Sequence, residues 1–298
     1  MNRTNKIKDK LIIGVSLAPA AVIALLFTYM AFIFCLVISF TDWNMLRPMS
    51  FVGFENYVYA FTSKEFLNTL RLSFIYALWG VPLCVIIGMA IGVLLNWITF
   101  CSGFFRVMVF LPVVTSMVVA SIVWGKIFDP QMGSLNQMLN AIGISTDSHW
   151  FNWTKDSMGG SMAALLIVGI WKQVGYNGIL FLGGLKNIST EFYEAALIDG
   201  AGSWKRFTKI TLPLLSPTTF MVTMLQVFSA FKVIVSVIVL TKGGPADSTD
   251  LLVHHIYNNA FKYFNMGYSS AVSVILFVII LAFTFIQLTF EKKFVYYR

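Results

Sequence analysis

The sequence has little charge and very little cysteine or histidine. Asp, Glu, Lys and Arg make up 11% of its 298 residues against 58% hydrophobic residues, and the mean hydropathy is +0.78. A soluble domain carries about a quarter charged residues, so an ordinary soluble enzyme is excluded. The net charge of +8 comes from 21 Lys and Arg against 13 Asp and Glu, too few in total for a solvated basic face, and nucleic acid is not expected as a partner. Cys35, Cys84 and Cys101 show no C-x-x-C spacing, which argues against both a disulfide framework and a zinc site. His254-His255 has no third ligand nearby in sequence and His149 is remote, so no metal centre is expected. The chain also lacks a G-x-S-x-G nucleophile motif and a G-x-x-x-x-G-K-S/T phosphate loop; its one Gly-Lys pair, Gly125-Lys126, is followed by Ile127. No catalytic residue, cofactor or metal ligand is therefore assigned to this chain.

What the chain does have is long apolar runs. Six stretches, approximately 11–40, 72–96, 107–125, 161–185, 214–240 and 268–290, occupy half of the sequence and hold only two charged residues, Lys172 and Lys232. Each approaches or exceeds the roughly 20 residues that cross a hydrocarbon core, where a helix satisfies its own backbone. The pattern predicts an all-α membrane protein, one polytopic domain over 1–298 with six transmembrane helices. The first run follows Arg3, Lys6, Lys8 and Lys10, yet it is much longer than the roughly 7 to 15 apolar residues of a secretory signal, and it reads as a retained span. Pro19, Pro82, Pro112 and Pro217 fall within or near span ends, which membrane helices tolerate. Tyr296 and Tyr297 beside Lys292 and Lys293 read as an interfacial anchor.

Six spans put both termini on one side. The connectors 1–10, 97–106, 186–213 and 291–298 then carry a net charge of +7, and the opposite set, 41–71, 126–160 and 241–267, carries −1. The positive-inside rule assigns the termini and the loop 186–213 to the cytoplasm.

That loop is the most informative segment. Ser189 or Thr190 is placed to cap a short helix with Glu191 in its first turn, and Gly200 to end it in a left-handed turn. Ser203 is expected to cap a second short helix through Lys209, with Pro213 at the start of the fifth span. The product is an elbow with a low profile at Ala195 and Ala196 and polar groups at Glu194, Asp199, Lys205 and Arg206, a shape suited to docking in a groove.

The spacing Glu194-Ala195-Ala196-x3-Gly200-x9-Ile210-x-Leu212-Pro213 resembles the cytoplasmic loop signature of the membrane-spanning subunits of ABC importers, and matches it at every position. Phe51-Val52-Gly53-Phe54-Glu55-Asn56-Tyr57 is similar to the extracellular start of carbohydrate permeases of the maltose and glycerol-phosphate type. Trp124-x3-Phe128-x-Pro130-x2-Gly133-x2-Asn136 and Thr241-Lys242-Gly243-Gly244-Pro245 resemble later segments of the same family. The resemblance implies a type I ABC importer permease core in a bacterial cytoplasmic membrane, embedded in membrane lipid. It also implies partners: a second permease subunit forming a heterodimer, two ATPase subunits that carry the ATP and Mg, and an extracytoplasmic solute-binding protein delivering a sugar or oligosaccharide. Glu194, Ala195, Ala196, Asp199, Gly200, Ile210, Leu212 and Pro213 are the expected ATPase-coupling residues.

The fourth and fifth stretches hold most of the intramembrane polar side chains, and polar groups at such depth usually face the bundle interior or water. Gln173, Tyr176, Asn177, Gln226, Ser229 and Lys232 are the candidates for a substrate path; interhelical hydrogen bonding is the alternative for each. By resemblance to the maltose permease, Gln173, Tyr176, Gln226 and Ser229 fall at its substrate columns, with only Tyr176 keeping the residue type. Lys172 and Lys232 either attract an anionic sugar or reach water and backbone carbonyls. A polyol phosphate such as glycerol phosphate is the runner-up substrate. An ion-coupled secondary carrier is disfavoured by the lack of Asp or Glu in all six stretches.

Overall fold

The structure is a computed structural model, and it describes residues 3–129, 132–143 and 158–294. The described residues are helical, with one isolated antiparallel bridge, Thr41 to Phe51. Pro130, His149, Tyr296 and Tyr297 lie outside them.

Among the described residues, four helical segments are long and apolar enough to cross a membrane: Val15–Ile38, Lys64–Trp97, Gly159–Lys186 and Met266–Glu291. Two further spans arise if each of two bent helix pairs counts as one. In chain order, α1 (Arg3–Ala24) continues through a π turn into α2 (Met30–Ile38), and α3 (Glu55–Thr62) precedes the long α4 (Lys64–Trp97). The third stretch, expected to be continuous, is broken. Its two parts, α5 (Ser102–Val114) and α6 (Met117–Ile127), meet at 94°. Pro112 brings no N–H to the last turn of α5, and Thr115 and Ser116 take extended backbone angles. A short α7 (Ser134–Ala141) and α8 (Met158–Lys186) follow, and then α9 (Thr190–Ile198), α10 (Ser203–Arg206) and α11 (Leu212–Leu214) lead into α12 (Ser216–Phe231). The fifth stretch is also bent, by 62° between Ser203–Leu214 and Ser216–Phe231, and α12 ends at Phe231 rather than running to 240. The chain closes with α13 (Leu252–Tyr257) and α14 (Met266–Phe294).

The chain divides into two compact units. One comprises residues up to Ser63 with Ile256–Ile275; the other comprises Lys64–His255 and residues from Leu276 onward. In the first, the Phe51–Tyr57 motif closes the end of α2. Gly53 supplies a left-handed turn at φ +61°, and Asn56 Nδ2 then donates to the carbonyls of Ser39 at 2.9 Å and Thr41 at 2.8 Å, groups left over where the helix stops. Phe54 and Tyr57 pack on Phe40, with ring centroids 5.3 and 5.5 Å away, and Tyr57 Oη pairs with Ser39 Oγ at 2.6 Å. The motif read from the sequence is thus a cap for the first span.

In the second unit α8 packs chiefly against α4. Close approach is set by Gly88-x3-Gly92 on α4: a Cβ on Gly88 would lie 2.5 Å from Asn177 Cβ, and one on Gly92 2.6 Å from Phe181 Cβ. Trp124 stacks on Phe128 at 5.2 Å and meets Trp171 edge-on at 5.7 Å, while Phe128 packs with buried Ala164 and Val168. The aromatic pair quoted in the Trp124-x3-Phe128 pattern therefore serves the core.

Candidate functional site

Three features of the second unit bring polar chemistry together. The first is a cavity of about 510 Å3 lined by α4, α8, α12 and the residues after it, within the range that holds small ligands. Gln173 and Tyr176 from α8 and Gln226, Ser229 and Lys232 at the end of α12 all line it, as does Lys172. Five of the six residues assigned to the path from sequence thus line one cavity. Asn177 takes a different place. It is fully buried, donates through Nδ2 to the Cys84 carbonyl at 3.2 Å, and accepts from Gln226 Nε2 at 2.9 Å, so it ties α4, α8 and α12 together instead of facing the cavity. Its position follows from the close α4–α8 contact, which seats it directly over Gly88.

Lys172 reaches backbone. Its ammonium donates to the carbonyls of Pro112 at 2.8 Å, Val113 at 2.9 Å and Thr115, the groups orphaned where α5 breaks. A cation at a helix C-terminus is also favoured by the helix dipole. Lys232 is exposed to the cavity and makes no side-chain hydrogen bond or ion pair among the described residues.

The second feature is the elbow between α8 and α12. Ser189 is the N-cap of α9, its Oγ accepting from Glu191 N–H at 3.3 Å. At the other end Gly200, at φ +72°, donates to Leu197 O at 3.0 Å, and Ala201 donates to Ala196 O at 2.8 Å. These two bonds make a complete Schellman closure around the left-handed glycine. Ser203 is not a cap: Gly202 holds that position, one residue earlier, and Ser203 Oγ accepts from Arg206 Nη2 at 3.3 Å. The second helix also ends sooner than expected, at Arg206, and a π turn carries Phe207–Thr211 on to α11, where Pro213 lies in the first turn. Tyr193 Oη and Thr211 Oγ1, 3.0 Å apart, join the two arms. Glu194, Ala195, Asp199 and Gly200 are exposed, Ala196 and Ile210 half-buried, Leu212 exposed and Pro213 half-buried. Sequence reasoning missed Leu197 and Ile198, which stand out at 55% and 88% exposure beside Glu194 and Asp199. Two adjacent apolar residues between two carboxylates in a polar connector were the available signal.

A third polar cluster lies in the segment after α12. Thr241-Lys242-Gly243-Gly244-Pro245 turns through left-handed Lys242 and Gly243, and Thr249 Oγ1 donates to Thr241 Oγ1 at 2.8 Å and to Gly244 O at 2.9 Å. Asp250 follows. Its carboxylate meets His254 Nδ1 at 2.5 Å, His255 Nδ1 at 3.1 Å and Thr69 Oγ1 at 3.0 Å, so this cluster fastens the segment to the start of α4. No group of three or more metal-ligating side chains occurs among the described residues. Burial pushes the Asp250 carboxyl up, but hydrogen bonds from His254 and His255 and their charge outweigh burial and hold it down to about 2. A carboxyl depressed from 3.8 contributes stability that is present above its unfolded value and lost as pH falls through 4 toward 2, about 2 kcal/mol in all. Asp250→Asn is therefore expected to lower the unfolding temperature at pH 7 and to flatten its dependence on acid. Thermal unfolding followed by tryptophan fluorescence at pH 7, 4 and 3 checks this; parallel curves for wild type and variant would refute it.

Helices long and apolar enough to cross a membrane, a cavity with a few polar groups between them, and an exposed elbow joining two of the cavity's helices fit a polytopic membrane transport protein. The chain belongs to the family described as binding-protein-dependent transport system inner membrane component, whose pattern its residues 57–296 match. It is 33% identical over 292 residues to the probable ABC transporter permease protein YurN of Bacillus subtilis, covering 96% of this chain and 97% of that one. It is 36% identical over 255 residues to the sn-glycerol-3-phosphate transport system permease protein UgpA of Agrobacterium fabrum, covering 83% of each. A solved chain from a bacterial ABC transporter involved in the import of the acidic polysaccharide alginate has the same fold, with a TM-score of 0.78 at 22% identity over 97% of this chain and 98% of that one.

Proposed function

We propose that this chain is a permease subunit of an ATP-driven importer that takes up a sugar or oligosaccharide delivered by an extracytoplasmic binding protein. One observation carries the reading. The elbow is the covalent link between α8 and α12, the two helices that supply Gln173, Tyr176, Gln226, Ser229 and Lys232 to the cavity. A partner that moves the elbow moves both walls, and the shift it can produce equals the difference in its affinity for the two arrangements. With no phosphate loop in the chain, ATP and Mg belong to two separate ATPase subunits that grip the exposed Glu194–Gly200 surface, and a second permease completes the pathway. The charge count favours cytoplasmic termini and a cytoplasmic elbow in a bacterial plasma membrane. No cofactor is assigned to the chain itself.

The first test is energetic. Uptake of labelled sugar by cells carrying the transporter is expected to survive an uncoupler and to fail when ATP is depleted; the reverse pattern would return the chain to the ion-coupled carriers. A polyol phosphate is the second reading, favoured by the glycerol-phosphate name of the UgpA relatives.

A further inference from the structure

Resting on the importer reading above, we propose that the cavity selects an anionic carbohydrate, a sugar bearing a carboxylate or a polyol bearing a phosphate, and that Lys232 is the residue that recognises the anion. The cavity is lined by two cations and by no acidic residue. Lys172 is committed: its ammonium is surrounded by the Pro112, Val113 and Thr115 carbonyls. Gln226 is committed too, through its bond to buried Asn177. That leaves the Lys232 ammonium with no protein partner among the described residues, on a wall that is otherwise largely apolar. A cation on a largely apolar wall is costly unless paired, and no acidic residue among the described lining offers it a counter-charge. An anionic substrate brings it.

The neighbours suit such a ligand. Ser229 lies three residues before Lys232 on the same face at the end of α12, and Gln173 and Tyr176 line the same cavity from α8, so hydroxyl and amide groups are at hand for the sugar while the ammonium takes the anion. A purely structural Lys232, serving the C-terminus of α12 through the helix dipole, would act alike on every substrate. The two roles therefore separate on substrate charge.

The test uses the intact importer purified from its native host, reconstituted in liposomes with its binding protein, as wild type, Lys232→Gln and Lys232→Arg. Labelled probes are uronate oligosaccharides, each paired with its neutral counterpart, and sn-glycerol 3-phosphate. Wild type is expected to take up an anionic probe; Lys232→Gln should raise its KM by about tenfold or more while changing any neutral uptake less than about threefold, and Lys232→Arg should restore most of the loss. Which anion responds, carboxylate or phosphate, tells the source. Transport of neutral probes alone by wild type would overturn the proposal and leave the sugar reading standing, as would equal loss for every probe in Lys232→Gln. An intact importer that hydrolyses ATP yet takes up no carbohydrate, charged or neutral, would remove the sugar reading and this inference with it.

Discussion

Lys172→Met is expected to abolish uptake and to deplete the chain from the membrane by about tenfold or more. The substitution keeps the length of the side chain and removes only the ammonium that caps the carbonyls of Pro112, Val113 and Thr115. Within a bundle each such bond contributes about 0.6 to 1.7 kcal/mol, so three together are worth roughly 2 to 5 kcal/mol, a large part of the stability of a typical domain. Because the 94° break between α5 and α6 takes those carbonyls out of the helical ladder, only the Pro112 carbonyl keeps a local donor, Thr115 Oγ1 at 2.7 Å, and the carbonyls of Val113 and Thr115 lose their cap. Lys172→Arg, which keeps the charge and several donors, is expected to recover part of the protein. Membrane fractions blotted for the chain and assayed for uptake measure both quantities. Near-normal amounts of Lys172→Met would mean that water satisfies the break instead.

Gly200→Val is expected to behave in the opposite way: normal insertion, with uptake reduced by at least about tenfold. Gly200 sits at φ +72°, where a side chain costs about 1 to 2 kcal/mol and a β-branched one more, so the Schellman closure opens and the Glu194–Asp199 surface loses its shape. Gly200→Asp separates geometry from contact. Asp tolerates the left-handed region and a Cβ at this position meets nothing within 4 Å, so this variant keeps the turn and merely adds a carboxylate to the exposed surface. If an ATPase docks there, Gly200→Asp and the charge reversal Glu194→Lys both lose co-purification of the ATPase while the chain remains in the membrane. Unchanged co-purification and uptake in these two would sink the assignment of the elbow as the coupling surface.

Much of this is legible in the sequence, because it rests on local chemistry. The spans follow from apolar runs, and the Ser189 cap and Gly200 stop follow from what a helix terminus needs within a few residues of itself. Ser203 departs from its expected role for an equally local reason: Gly202 in extended conformation serves as the cap, and the hydroxyl one position later is already inside the helix. The break at Thr115 and Ser116 leaves only a faint local mark, Pro112, since its essential partner is Lys172 on another helix. Asn177 takes the interhelical role that stood as its alternative, and the choice between the two depends on which helix lies over Gly88, a fact of packing that periodicity does not carry. For His254 and His255, where no metal centre is expected, the i, i+4 spacing from Asp250 to His254 is the local mark of the carboxylate partner.

The bond from Lys172 to the broken helix also bears on how the protein is made. The ammonium lies 57 to 60 residues downstream of the carbonyls it caps, so when α5 and α6 leave the ribosome their cap has not yet been synthesised. Exposed carbonyls at a bend are tolerated in water or inside protein but not against lipid tails. Until α8 arrives, Thr115 Oγ1 serves the Pro112 carbonyl alone, so the bent pair and α8 are expected to complete their packing as one unit.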